Sequence, residues 1–396
     1  MKNLLLALIT ALLLSLALAQ TITIHTHFQD ESLNWLQQET ARFEAAFGVD
    51  VEIVFVPVGA IVQNMLLNAP VGQGPDLIVP VPHDQLGALA EAGVLASMDQ
   101  YATAVYLGDL TAQSRLAFTF AGRLFGLPMY VEGPALYVNR DLVPEGPNSF
   151  DEFLAIAREH TTAHTFGFLQ PQASDAFYFG YVWLRGFGGY VFGRDADGNL
   201  NPNDIGLSTE GAVRGAEFIQ RLRHEYSLIP SGVDYSVMHG QFLNGTAAMI
   251  NNGPWAAPDY LAAGINFEVM PIPGIDGGSP FSGFMGVQGI VMNEFSTNKV
   301  NAVNLAKWLI RTDAQVSLAT FGGRIPASIS ASQRISDDPI IAGFAAALAD
   351  AEPMPNIPEM ARVWAPMETA LSLILADPYA DIGAILNDAV REIRGN

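Results

Sequence analysis

Three short stretches at the start of the chain, Thr21–His27, Val51–Val56 and Asp76–Val81, have the composition and alternation of strands, and helical spacing fills the gaps between them. A strand–helix–strand–helix–strand order buries both kinds of element when the helices cover a largely parallel sheet, so the fold class read here is α/β. In the first gap, Leu33, Leu36, Phe43 and Phe47 share one helical face, Asp30 can cap the start and Gly48 ends it. The same grammar returns later. Leu136–Asn139 reads as a strand after the turn at Gly133-Pro134. Ser208–Tyr226 reads as a helix with Ala212, Ala216, Ile219, Leu222 and Tyr226 inward and Ser208 or Thr209 as cap. Ala247–Asn251 and the glycine-rich run Phe281–Asn293 read as strands, and Asn301–Arg311 as a helix. The last stretch is interrupted by prolines until Trp364 and helical from there to the end.

A chain of 396 residues, half of them apolar and 15% charged, has material for two cores. No repeat or long charged linker separates two halves, which implies that the chain passes between lobes more than once. The formal charge of −21 opposes nucleic acid and anionic lipid as partners and says nothing about a small ligand.

The first residues form an export segment. Met1-Lys2-Asn3 is a short basic start, Leu4–Leu18 is nearly all apolar, and Ala17-Leu18-Ala19 supplies the small residues of a cleavage site before Gln20. The run is shorter than the ~20 residues that span a bilayer. The chain has no cysteine, hence neither a disulfide framework nor a lipid-attachment residue after the segment. These features point to a soluble protein, in the periplasm where a cell has two membranes.

The motifs of several enzyme classes are absent: no nucleotide loop of Walker type, no His-Glu-x-x-His, no Gly-x-Ser-x-Gly. His25 and His27 share a strand face, as a metal pair does, but so do ordinary polar residues on a half-exposed strand, and no metal or other cofactor is expected. Asp195–Asn199 opens like a calcium loop, lacks its remaining ligands and reads as a hairpin turn. What remains is a set of aromatics and acids near element ends. Trp255 follows Asn252-Gly253-Pro254. Trp364 follows the Pro-broken stretch 354–358, and Tyr178 lies in Phe177-Tyr178-Phe179. His83-Asp84 and Glu132 come just after expected strands, where ligands gather in open α/β sheets. Aromatic plates with planar polar groups suit sugars, whose rings have apolar faces and hydroxyl edges. Taken one at a time, each of these aromatics fits burial in a core better than a ligand, since large aromatics are usually buried.

The ordered set of motifs resembles the maltose-binding-protein family, the bacterial extracellular solute-binding proteins of ABC sugar importers. Its clearest part is Met354–Trp364 (MPNIPEMARVW). Gly74-Pro75-Asp76 with Pro82-His83-Asp84, Pro128–Asn139 (PMYVEGPALYVN), Gly188-Gly189-Tyr190 and Asn252–Trp255 accompany it in the family's order. The resemblance implies a two-lobed periplasmic binding protein fold, each lobe a mostly parallel sheet flanked by helices, with the ligand between lobes. The N-terminal lobe is expected over 20–130 plus 287–333 and the C-terminal lobe over 135–282 plus 338–396. Crossings are expected near 131–134, 283–286 and 334–337. Residue by residue, Trp255, Trp364 and Tyr178 fall on stacking positions, and Glu132 and Asp84 on hydroxyl-binding carboxylates.

Other positions depart from the family pattern. Gln85 stands where an arginine is usual, Ala365 where an aromatic is usual and Glu368 where an arginine is usual. Asp30, flanked by Gln29 and Glu31, aligns loosely with an Asp-Lys pair; the glutamate at the end of the second strand is replaced by Val54 or a neighbour, and Asp175 can replace a carboxylate lost before Tyr178. The function implied is the substrate-binding subunit of an ABC importer. It captures a maltose/maltodextrin-like oligosaccharide and delivers it to permease subunits at the membrane, as a monomer and without catalysis. Two other readings stay open: a glycoside hydrolase using paired carboxylates such as Asp84 and Glu132, and a binder of a non-sugar solute such as a polyamine.

Overall fold

The structure, a computed structural model, describes residues 21–275 and 278–395. The expected export segment, residues 1–19 with cleavage before Gln20, lies outside them. The main strands are β1 (Ile22–Thr26), β2 (Val51–Phe55), β3 (Leu77–Pro82), β4 (Gly126–Glu132), β5 (Ala135–Asn139), β6 (Met249–Asn252), β7 (Phe267–Met270), β8 (Phe284–Met292) and β9 (Ile325–Pro326). The larger sheet runs β9-β4-β8-β3-β1-β2, with Glu352–Pro353 pairing to the start of β8. The smaller one runs β6-β5-β7.

Strand position explains strand composition. β3 and β8 are central and buried along their whole length, while β2, at the edge, is half-buried or exposed throughout. The expectation of mostly parallel sheets is corrected. β1–β2, β1–β3 and the short pairing of Glu352–Pro353 with β8 run parallel, whereas β8 is antiparallel to β3 and β4, and β9 to β4. β6 and β7 are both antiparallel to β5. The direction of entry is the reason. β8 begins beside Glu132 and Pro82, the residues on which β4 and β3 end, so it must run against them. The sheets are therefore mixed.

Two separate apolar cores form, one from residues within 22–130 and 285–318, the other from residues within 135–284 and 325–393. Ile325 is on the border: its backbone pairs with β4, yet its side chain packs in the second core. Helix Asp30–Phe47 covers the first sheet with Trp35, Leu36 and Phe43, and Gly48 closes it at φ +68°, its N–H bonded to the Glu44 carbonyl. Phe47, expected inward, is exposed and stacks on Phe43 instead. Asp30, expected as a cap, is the first helical residue and bonds no backbone donor as a cap; Gln29 precedes it. The helix expected near Ser208 spans Glu210–His224 and is capped by Thr209. The helical tail is two helices, Trp364–Ala376 and Ile382–Arg394, broken around Pro378. The 195–199 loop is a hairpin turn in which the Asp195 carboxylate accepts from the Asp197 and Asn199 N–H groups.

The stretch 354–358 is tied to the first lobe although Met354 and Met360 pack in the second core. The Asn356 side chain donates to the carbonyls of Leu116, Ala117 and Thr119 at 3.0–3.1 Å. Helix Leu86–Glu91 meets the same stretch through Gly87. A Cβ there would stand 2.4 Å from the Asn356 carbonyl oxygen and 2.7 Å from the Ile357 carbonyl carbon, both rigid backbone. Gly87→Ala is therefore expected to destabilise the protein by about 1–3 kcal/mol. An unchanged urea midpoint would contradict that close approach.

Candidate functional site

The carboxyl ends of β1 and β3 bring His27, Phe28, His83, Asp84 and Gln85 to one rim, where the first lobe faces the second. Tyr130 and Glu132 of β4 and Gln288 of β8 join them through sheet register. His83 ties this rim to β8 and to the 354–358 stretch. Its Nδ1 accepts the Val287 N–H at 3.0 Å, so the proton is on Nε2, which donates to the Met354 carbonyl at 2.8 Å. Burial holds His83 down at about 4, so it is neutral at pH 7.

Glu132 is buried and accepts twice, from Gln288 Nε2 at 2.7 Å and from Arg324 Nη1 at 2.9 Å. The Arg324 guanidinium lies 5.8 Å from the Phe28 ring centre, 5.2 Å from Tyr130 and 6.0 Å from Trp255 of the second lobe. Asp84 accepts from Trp364 Nε1 at 3.2 Å, a bond between lobes. Burial pushes Asp84 up to about 6, and the charge of Glu132 adds to the push.

The second lobe contributes aromatic faces. Tyr178 stands in the first turn of helix Ala176–Gly186, and both oxygens of Glu368 hold the start of that helix, accepting from the N–H groups of Ala176 and Phe177 at 3.0 Å. Trp364 packs 5.6 Å from Phe177 and Phe284, and Tyr178 lies 6.3 Å from Trp255. Trp255 donates to the Tyr235 hydroxyl at 3.0 Å, and Tyr235 stacks on His239 at 5.6 Å. Burial raises Tyr178 well above the ordinary phenol range, helped by Glu132 and Asp84, so the hydroxyl remains a neutral donor and acceptor.

The structure thus brings together Asp84, Glu132, Tyr178, Trp255 and Trp364. Gln85 sits beside them, its Nε2 3.4 Å from the Val58 carbonyl and its Oε1 buried without a partner. Asp30 is exposed; burial holds His239 of the second lobe down, and Asp259 and Asp30 partly offset it. Asp175 is exposed, in the left-handed region at φ 58°, and is raised by partial burial and by Asp234. Glu368, expected at the ligand, is instead committed to the helix that carries Tyr178.

Sequence reasoning missed Arg324, Tyr130, Gln288 and Tyr235. A signal for Arg324 existed: an arginine between Gly322-Gly323 and Ile325-Pro326, in a chain with only 19 Lys and Arg, is out of place on composition. Tyr130 and Gln288 sit in apolar strands and gave none.

Several rim atoms are buried without a hydrogen-bond partner: Gln85 Oε1, Tyr130 OH and Arg324 Nε, while His27 and Gln288 face each other. Each such atom costs about 1–3 kcal/mol when left unpaired, so a rim that collects them suits a ligand rich in hydroxyls. Among the described residues no cluster of His, Cys, Asp and Glu can hold a metal ion, and no helix is long and apolar enough to cross a membrane. A separate hollow of about 630 Å³, lined by Tyr101, Tyr106, Asp109, Lys307 and Arg311 among others, contains none of these unpaired atoms.

Comparison with known proteins agrees with the motif resemblance. Residues 39–343 match the family described as bacterial extracellular solute-binding protein. The chain is 32% identical to a galactooligosaccharide-binding protein of Bacillus subtilis, over 92% of this chain and 87% of that one. It is also 32% identical to a maltotriose-binding protein of Pyrococcus abyssi, over 91% and 79%. A Thermus thermophilus maltotriose binding protein, solved bound with maltotriose, superposes with a TM-score of 0.90 at 44% identity, covering 94% of this chain and 99% of that one.

The raised Asp84 has a consequence for stability. Between its ordinary value of 3.8 and about 6, the folded state holds a proton that the unfolded chain releases. Stability from this group therefore rises as pH falls through that window and is lost above it. His27 and His83, both held near 4, act in the opposite sense below 6.5 and are common to wild type and variant. Asp84→Asn is expected to be more stable than wild type at pH 7 by up to about 3 kcal/mol. The difference should shrink below pH 6 and vanish near pH 4. Urea unfolding of both proteins from pH 4 to 7.5 checks this; a less stable Asn variant at pH 7 contradicts it.

Proposed function

We propose that this chain, which belongs to the bacterial extracellular solute-binding protein family, is the substrate-binding subunit of an ABC importer and captures a maltose/maltodextrin-like oligosaccharide between its lobes. The observation that carries the reading is the meeting of Tyr178, Trp255 and Trp364 with a rim of buried, unpaired polar atoms. Sugar rings stack on the three aromatics. Their hydroxyls bond Asp84, Gln85 and Glu132, while Asp30 and Asp175 stand at the cleft's margins. Glu368 acts through the helix it caps. The lobes, 20–130 with 287–333 and 135–282 with 338–396, turn about the crossings near 131–134, 283–286 and 334–337. A ligand that touches both lobes favours the arrangement in which they meet, and the permease reads that arrangement.

The name of the Bacillus subtilis relative favours a galactooligosaccharide as a second reading. The maltotriose-binding relative and the structural likeness at 44% identity support the gluco-oligosaccharide first. The protein is exported by its first 19 residues, acts in the periplasm as a monomer, binds no nucleic acid and leaves the sugar intact.

Maltotriose is expected to raise the melting temperature of the mature chain more than a galactotriose does, since a ligand that binds only the folded state stabilises it by mass action. Calorimetry with Trp255→Ala and Trp364→Ala should show binding weaker by about 1–3 kcal/mol each. Unchanged affinity in both variants would sink the assignment of the stacking floor. Release of reducing ends from maltotriose would replace the binder with a hydrolase.

A further inference from the structure

We propose that Arg324 is a specificity-determining residue of the cleft, donating directly to hydroxyl oxygens of the sugar unit held at Trp255, and that Glu132, besides accepting from the sugar, aims it. The inference rests on the oligosaccharide reading above and adds to it a contact that no aromatic or acid supplies.

The placement of Arg324 is built by backbone on both sides. After it, Ile325 and Pro326 pair with Val131 and Tyr130, so Arg324 leaves the strand edge beside Glu132. Before it, Gly323 lies at φ +65°, where a Cβ would stand 2.4 Å from the Pro254 carbonyl oxygen and 2.9 Å from Pro258. Only a residue without a side chain lets this loop approach the second lobe so closely, and Pro254 is the neighbour of Trp255. The loop that carries the cation and the loop that carries the tryptophan are thus in backbone contact across the cleft.

The guanidinium has more donors than its salt bridge uses. Nη1 serves Glu132, whose other oxygen is engaged by Gln288. That leaves the side fork of Nε–H and Nη2–H, and Nε is buried without an acceptor in a side chain only 13% exposed. Phe28 and Tyr130 back the guanidinium in the first lobe, and Trp255 is 6.0 Å away in the second. An arginine that merely neutralised Glu132 would need one nitrogen; a planar fork left free beside a stacking tryptophan fits two adjacent ring hydroxyls. Arginine stays charged at every physiological pH, so this donor pair is permanent. The class selected is a pyranose that presents two neighbouring hydroxyl oxygens in one plane at its edge.

The test uses the full mature chain and maltotriose in a calorimeter, with wild type, Trp255→Ala, Glu132→Gln, Arg324→Lys and the pair Arg324→Gln/Glu132→Gln. The double variant leaves no buried unpaired charge, and ligand-free melting temperatures report any folding loss separately. Against Glu132→Gln alone, the double variant is expected to bind about 10- to 100-fold more weakly, as removal of a charged donor does. Arg324→Lys keeps the charge and loses the fork, and is expected to bind at least about 10-fold more weakly than wild type. Binding by the double variant equal to Glu132→Gln, or by Arg324→Lys equal to wild type, overturns the inference. If that happens while wild type binds and Trp255→Ala is impaired, the oligosaccharide reading stands and only the role of Arg324 falls. If wild type binds no maltotriose, both fall together.

Discussion

One buried carboxylate joins three segments that lie far apart in the sequence. Glu132 ends β4 just before Gly133-Pro134, and it bonds Gln288 near the start of β8 and Arg324 just before β9. A buried ion pair adds little net stability, because desolvation offsets most of its attraction. What it supplies is geometry. Breaking it leaves a charge unpaired in a dry site, so the end of β4, the start of β8 and the approach to β9 are held in one relation to each other. His83 does the same by neutral means, spanning Val287 and Met354 with its two ring nitrogens. The rim that faces the second lobe inherits its order from these two residues.

That rim is electrostatically unusual for its chain. A protein of net charge −21 places one of its few cations in the cleft, with Glu132 bonded to it and Asp84 close by. Burial drives Asp84 toward its protonated form, and a hydroxyl that donates to it would favour the ionised carboxylate, the stronger acceptor. The aromatic side of the cleft is orderly for a different reason. Trp255 is oriented by Tyr235, Tyr178 by a helix whose start Glu368 caps, and Trp364 by its bond to Asp84. Stacking faces held in this way lose little freedom when a ring settles on them.

The fold class and the aromatic floor were legible in the sequence, because strand–helix periodicity and ordered short motifs are local signals. Trp255, Trp364 and Tyr178 were singled out by motif; Tyr178 lies 6.3 Å from Trp255, and Trp364 packs on its neighbour Phe177. Strand direction was not legible. Nothing within Phe284–Met292 says that it starts where β3 and β4 end, and that start makes it antiparallel to both. The polar shell was half legible. Asp84 and Glu132 were found, but Gln288 and Tyr130 hide in strands that read as core, and Arg324 becomes visible only when β9 docks on β4. Glu368 misled for a physical reason: a carboxylate near an aromatic can serve a ligand or cap a helix nearly two hundred residues away in sequence, and only the three-dimensional contact distinguishes them.

The central claim is that a sugar sits between the lobes and touches both. A crystal structure of the mature chain grown with maltotriose tests it most directly. The account predicts glucose rings against Tyr178, Trp255 and Trp364, with hydroxyls bonded to Asp84 and to the rim around Gln85 and Glu132. Maltotriose bound elsewhere on the surface, with the cleft residues still bonded only to one another, would contradict it.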